Sequence, residues 1–186
     1  SVTATPIRPA PSRAASWLSE SVVANPMSIY PAYKDKRSSW GAQWGPEVLV
    51  RITTDDGLEG IGCTAPAPAR MFIEQHFARL LVGADPFDIE MLWDQMFRSS
   101  LPYGRKGLPI MAISAVDVAL WDLIGKAKGE PVWRLLGGKT KPALPVYSTG
   151  NDVAHYHALG FRGFKLAMPY GPADGWKGMK GNIALV

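Results

Sequence analysis

A single cysteine, Cys63, excludes any disulfide within the chain, so 186 residues must be held together by packing. Apolar residues make up 47% of the sequence, enough to bury a core without a metal or a covalent staple. Cys63 lies in apolar surroundings and reads as a buried structural thiol rather than a nucleophile. Histidine is nearly as scarce. The first of three is His76, and His155 and His157 stand two apart, a spacing that turns them to different faces of a helix and argues against a metal pair. No apolar run approaches the ~20 residues of a membrane span, and the N-terminus lacks the charged-then-apolar pattern of a secretory signal. No membrane partner and a cytoplasmic location are therefore expected. A phosphate loop of the G-x-x-x-x-G-K kind and internal repeats are also missing.

Acidic residues are in slight deficit, leaving a net charge of +4. The basic residues are scattered, and their early knot of Lys34, Lys36 and Arg37 is interrupted by Asp35, so a nucleic-acid partner is not expected.

What is abundant is punctuation, with 19 Gly and 16 Pro. Residues 1–46 are rich in Pro, Ser, Ala and Trp without a period, and Pro26, Pro31 and Pro46 break any helix, so this stretch reads as irregular. Glu47 to Thr54 alternates, Asp55-Asp56-Gly57 supplies a turn, and Leu58 to Thr64 returns, which predicts a β-hairpin. Phe72, Ile73, Phe77, Leu80 and Leu81 then mark a helix from Ala69, and Ile89, Leu92, Trp93, Met96 and Phe97 form the core face of another over 87–99. Ile113, Val116, Leu120, Leu123 and Ala127 place an apolar stripe on a long helix over 108–128. Pro109 suits its first turn, Lys126 and Lys128 its negative end, and Gly129 before Pro131 a left-handed stop. Pro131 opens a short helix closed by Gly137 and Gly138.

Past Gly138, an apolar run over 143–148, a helix-compatible stretch over 152–159 and a second apolar run over 163–168 make a strand–helix–strand unit of a parallel sheet or barrel. A further helix is expected to begin at Lys180.

The run from Ala115 to Gly138, A-x-D-x-A-L-W-D-L-x-G-K-x-x-G-x-P-V-x-x-L-L-G-G, with the hairpin before it and the strand after it, resembles the enolase superfamily in its mandelate-racemase-like branch. That resemblance implies an α+β capping domain over 1–138, with a mobile substrate-covering loop around 13–46. It also implies the start of a (β/α) TIM-like barrel over 139–186. Two strands cannot close a barrel, so the chain is expected to be an N-terminal fragment, inactive alone. Members of this branch abstract a proton beside a carboxylate and stabilise the enediolate on Mg²⁺. Their Mg²⁺ ligands stand on the third, fourth and fifth barrel strands, which places them beyond Val186.

A narrower likeness lies in Asn25-Pro26-Met27-Ser28-Ile29-Tyr30, Tyr33 and Arg37-Ser38-Ser39-Trp40-Gly41, together with Gly160-Phe161-Arg162-Gly163, Lys165 and Gly171-Pro172-Ala173-Asp174-Gly175. These stretches are similar to L-rhamnonate dehydratases. The resemblance puts Arg37 on the loop that closes over a sugar acid, where its planar fork suits a carboxylate or paired hydroxyls. That subgroup carries a loop histidine beside the Arg, and none occurs here before His76. Trp17, Trp40 and Trp44 supply apolar walls or packing. In racemases of the branch a Lys-x-Lys pair ends the second barrel strand, and its second Lys is a base. Here the run is Lys165-Leu166-Ala167, so Lys165 is left to orient the carboxylate and no Lys base is available on this face.

The expected activity is Mg-dependent dehydration of an L-rhamnonate-like aldonate to a 2-keto-3-deoxy acid, by a homo-oligomeric enzyme. The alternatives are a racemase, epimerase or cycloisomerase of the same superfamily, and a non-catalytic binding or structural module.

Overall fold

The computed structural model describes residues 1–7, 23–34, 47–64 and 66–186. These divide into two compact units, residues 1–7, 47–64 and 66–140 forming one and residues 23–34 and 141–186 the other.

In the first unit, β1 (Val2–Ile7), β2 (Glu47–Thr53) and β3 (Glu59–Thr64) make an antiparallel sheet in that order. The hairpin of β2 and β3 follows the sequence pattern, with Val48 paired to Thr64 and Thr53 to Glu59. Strand β1 does not. Residues 2–7 were expected to be irregular, but they pair with β2 in register from Val2 with Ile52 to Ile7 with Glu47. Their own alternation is too weak to announce a strand, since Ala4 is the one buried side chain among them. The ladder offered by β2 decides their conformation.

Val48, Val50 and Ile52 alternate onto the covered face, flanked in the next strands by Ala4, Gly60 and Gly62. Large side chains in the central strand and small ones beside it leave a groove over β3. Helix α3 (Leu108–Lys128) lies in that groove. A β-carbon added to Gly62 would stand 1.9 Å from the Ala115 carbonyl oxygen, and one added to Gly60 2.0 Å from that of Ala119. Helix and strand thus meet backbone to backbone, and Ala115 and Ala119 of the long motif are the small residues that permit it. Ile113, Val116, Leu120 and Leu123 are buried as the stripe requires. Ala127, four residues past Leu123, is exposed: β3 begins at Glu59, and Gly60 beside it already faces Leu123.

By length and composition α3 is the one helix among the described residues that could cross a membrane, contrary to the expectation of no such run, which Asp117 and Asp122 interrupt. More than half of that stretch is buried inside the unit, so its apolar character is used against the sheet and neighbouring helices. Gly129 closes it in the left-handed conformation (φ 64°, ψ 27°), and the Glu130 amide donates to the Gly125 carbonyl (2.9 Å). The short helix α4 (Val132–Leu135) follows Pro131.

Helix α1 runs as Ala69–Met71, a π-helical segment Phe72–Phe77, and Ala78–Leu81. Its buried residues, Ala69, Ile73, Phe77 and Leu81, recur every fourth position. In a pure α-helix that spacing drifts by ~40° per step. The wider π turn cancels part of the drift and keeps all four on the core. In α2 (Ile89–Ser100), Ile89, Leu92 and Met96 are buried, whereas Trp93 is 37% exposed and stacks on Phe97 at the rim, a correction to its expected place in the core.

Cys63 is exposed, not buried. It lies on the open face of β3, where its thiol donates to Glu47 Oε2 (3.8 Å). Alternation explains this, since Gly62 takes the inward position beside it. Partial desolvation and the Glu47 carboxylate push the thiol up from its ordinary value, so it is poorly disposed to nucleophilic chemistry.

Asp122 is the polar hinge of the first unit. Its Oδ2 accepts from the Ile61 amide (2.8 Å) and from Lys126 Nζ (2.6 Å), and Lys126 also donates to the Glu59 carbonyl (2.9 Å). Burial pushes this carboxyl up, but the Lys126 and Ile61 bonds together hold it below the usual range. Asp117, one turn earlier, has the opposite balance: desolvation and the nearby Glu90 carboxylate raise it. A carboxyl raised in the folded state binds its proton more tightly there than in the unfolded chain. Stability therefore falls as pH rises from the ordinary carboxylate value through the raised one. Asp117→Asn is expected to melt higher than the parent at pH 7 and to lose that advantage toward pH 3, as read by thermal unfolding across the range. A constant difference at all pH values would refute the assignment.

The second unit carries a parallel pair, β4 (Ser148–Thr149) and β5 (Phe164–Lys165), joined through α5 (Val153–Ala158). The expected strand–helix–strand order holds, with shorter strands. Leu144, Val146 and Tyr147 of the first apolar run are exposed and outside β4. Helix α6 spans Gly175–Ile183 and begins five residues before the Lys180 start read from the sequence. Its Gly175, Gly178 and Gly181 concealed the helix from propensity.

Candidate active site

The two parallel strands end at Thr149 and Lys165, and the loops that leave these ends lie together. The Gly150 amide donates to the Lys165 carbonyl (3.0 Å), and Asn151 Oδ1 accepts from the Ala167 amide (2.8 Å). In parallel α/β units this strand end is where loops gather chemistry. Lys165 stands there, exposed. Ala167, two residues on, is buried and offers no titratable group.

The loop after β5 is braced by its own helix. Tyr170 and Asn182 exchange two bonds, Tyr170 N–H to Asn182 Oδ1 (3.2 Å) and Asn182 Nδ2 to the Tyr170 carbonyl (2.9 Å). Gly178 and Gly181 make room for this. A β-carbon at Gly178 would fall 2.4 Å from Asp174 Cβ, and one at Gly181 2.6 Å from the Tyr170 ring.

Over this loop lies the segment 23–34. It was expected to be irregular, with Pro26 and Pro31 as helix breakers. Instead each proline starts a short 3-10 turn, Pro26–Ile29 and Pro31–Tyr33, because a first-turn proline gives up no needed donor. Asn25 Oδ1 accepts from the Met27 amide (2.9 Å) and Ser28 Oγ from the Asn25 amide (3.0 Å), a reciprocal cap. The Ala24 amide donates to the Met168 carbonyl (2.9 Å), and Lys34 Nζ to Asp174 Oδ1 (2.5 Å). The Lys34 bond, and then that from the Gly171 amide, hold the Asp174 carboxyl below its ordinary value.

Of the residues singled out in the sequence, Lys165 is thus at the strand end, while Arg37, Trp17, Trp40 and Trp44 lie outside the described residues. Lys34, Asn151 and Asp174 were missed as residues that bond to or within the loop after β5. Their faint signal was the Asn-x-x-Ser cap and the polar Gly171-Pro172-Ala173-Asp174 turn. Two of the three histidines are engaged elsewhere: His76 Nδ1 with the Tyr103 hydroxyl, and His157 Nε2 with the Arg162 guanidinium (2.8 Å). Among the described residues no three His, Cys, Asp or Glu side chains converge as a metal would require. These residues do not fit a divalent cation.

Residues 32–137 match the family described as mandelate racemase / muconate lactonizing enzyme, N-terminal domain. L-rhamnonate dehydratase of Saccharopolyspora erythraea is 43% identical over 168 residues, 90% of this chain and 43% of that protein. The crystal structure of rhamnonate dehydratase from Gibberella zeae complexed with Mg is 39% identical, with a TM-score of 0.88 over 100% of this chain and 48% of that one. The 3,6-anhydro-D-galactonate cycloisomerase of Zobellia galactanivorans is 34% identical over 75% of this chain and 42% of that one, with a TM-score of 0.64. The chain spans less than half the length of the curated relatives it matches. By the match over residues 32–137, this chain belongs to the mandelate racemase / muconate lactonizing enzyme family of the enolase superfamily, and it resembles the L-rhamnonate dehydratases within it.

Proposed function

We propose that this chain supplies the capping domain and first barrel strands of a Mg-dependent sugar-acid dehydratase acting on an L-rhamnonate-like aldonate. The observation that carries the reading is the 43% identity with an L-rhamnonate dehydratase, sustained over 90% of the chain and hence through both units.

In this reading the unit of 23–34 and 141–186 forms one side of the substrate site. Lys165, exposed at the end of β5, orients the substrate carboxylate by charge. Arg37, three residues past the described segment, binds the carboxylate or paired hydroxyls through its planar fork. The loop after β5, fixed by Asn182 and Asn151, gives these groups a stiff floor. In this reading a cation would be held by residues other than the described ones and would supply charge stabilisation to the developing enediolate. With Ala167 in place of a second Lys, this reading assigns the face to holding and orienting the substrate and takes the base from elsewhere. Dehydration tolerates that, since it needs one base from elsewhere. Racemisation by opposed bases does not.

The test is incubation of the whole protein carrying this chain with Mg²⁺ and a panel of C5 and C6 aldonates. A 2-keto-3-deoxy product from an L-rhamnonate-like member is the expected result. Solvent deuterium entering Cα without loss of water would assign a racemase or epimerase instead, and no turnover of any member would leave a binding module.

A further inference from the structure

The segment 23–34 is attached at both ends, and the attachments differ in kind. At one end the Ala24 amide bonds the Met168 carbonyl, a link any sequence could make. At the other the link is ionic, Lys34 Nζ to Asp174 Oδ1 at 2.5 Å. Between them the two 3-10 turns and the Asn25–Ser28 cap make the segment a stiff strap.

The carboxylate at the ionic end is held in place before Lys34 reaches it. Asp174 Oδ2 accepts from the Gly171 amide (2.9 Å), its side chain is 13% exposed against 46% for Lys34, and only a glycine at 178 lets it sit on α6. One partner is fixed by its own loop, and the other is a long side chain brought from 140 residues away. An ordinary surface ion pair orders two mobile side chains and gains little. Here only one side chain must be ordered.

We propose that Lys34 and Asp174 form an ionic latch that positions the strap on the loop after β5. Both are positioning residues. The inference rests on the reading of residues 13–46 as a substrate-covering segment, but its physical test does not require turnover.

Amide hydrogen exchange on peptides spanning 23–34 decides it. Lys34→Met and Asp174→Asn, which keeps an acceptor for the Gly171 amide, are expected to speed exchange there about two- to fivefold. Peptides over 47–64 should not change. Lys34→Arg should hold the parent rate. Raising salt from 0.05 to 1 M should speed the parent and leave Lys34→Met unmoved. Parent-like exchange in both single variants, or no salt response in the parent, would overturn the latch. If Asp174→Asn also loosens 148–165, the Lys34→Met and Lys34→Arg variants alone decide. In the whole protein, Lys34→Met should raise KM for the aldonate with kcat retained. Absence of turnover on every aldonate would count against the proposed function while leaving the exchange result to judge the latch.

Discussion

Gly62→Ala is expected to lower the melting temperature of the chain by roughly 6 to 20 °C, corresponding to about 3 to 5 kcal/mol. The added methyl would meet the Ala115 carbonyl oxygen at 1.9 Å and the Ala115 carbonyl carbon at 3.0 Å. Both are backbone atoms in the middle of a 21-residue helix, so no rotamer change relieves the clash. Moving α3 outward would separate Ile113, Val116 and Leu120 from Val48 and Val50, which are essentially inaccessible to solvent. The loss is a large share of the ~5 to 15 kcal/mol that holds a typical domain folded. Gly60→Ala should behave alike, since its methyl would stand 2.0 Å from the Ala119 oxygen. Gly57→Asn is the control. That turn glycine has φ 86° and open space around it, and asparagine tolerates the left-handed region, so about 1 kcal/mol or less is expected. Thermal unfolding followed by circular dichroism measures all three. A Gly62→Ala midpoint within 2 °C of the parent would show that α3 does not seat on β3 as described.

The second large effect concerns the proposed chemistry. In the whole protein, Arg37→Met should lower kcat/KM for the aldonate by roughly 30- to several-thousand-fold, the cost of leaving a desolvated anionic partner without its ~2 to 5 kcal/mol bond. If Arg37 binds ground and transition states equally, the loss falls on KM. Arg37→Lys should recover only part, because an ammonium replaces the charge and not the two-pronged geometry. Lys165→Met should cost less, since Lys165 stands exposed, where water can substitute for part of its field. Equal kcat/KM in Arg37→Met and the parent would remove Arg37 from the site.

How far these features can be read in the sequence depends on how local their causes are. The hairpin of β2 and β3, the long helix and its glycine stop were legible because alternation, the stripe from Ile113 to Leu123 and the left-handed Gly129 act over a few residues. Strand β1 was not, because Val2–Ile7 extends only when β2 is present to pair with it. Cys63 was misplaced for a similar reason, since the register that turns Gly62 inward necessarily turns its neighbour out. In the candidate site, the place of Lys165 at the end of a strand was legible from the apolar run that leads to it. Lys34, Asn151 and Asp174 were not, each being an unremarkable polar residue until the chain folds.

By itself, then, the sequence determined the elements whose stabilising interactions lie within a turn or a hairpin, and the family likeness carried by the run ending at Gly138. Tertiary structure alone decided which glycines had to remain bare, because the contacts of Gly60 and Gly62 are with a helix more than fifty residues on. It also decided that Lys34 meets Asp174, since an ion pair spanning 140 residues forms only after both backbones have been placed.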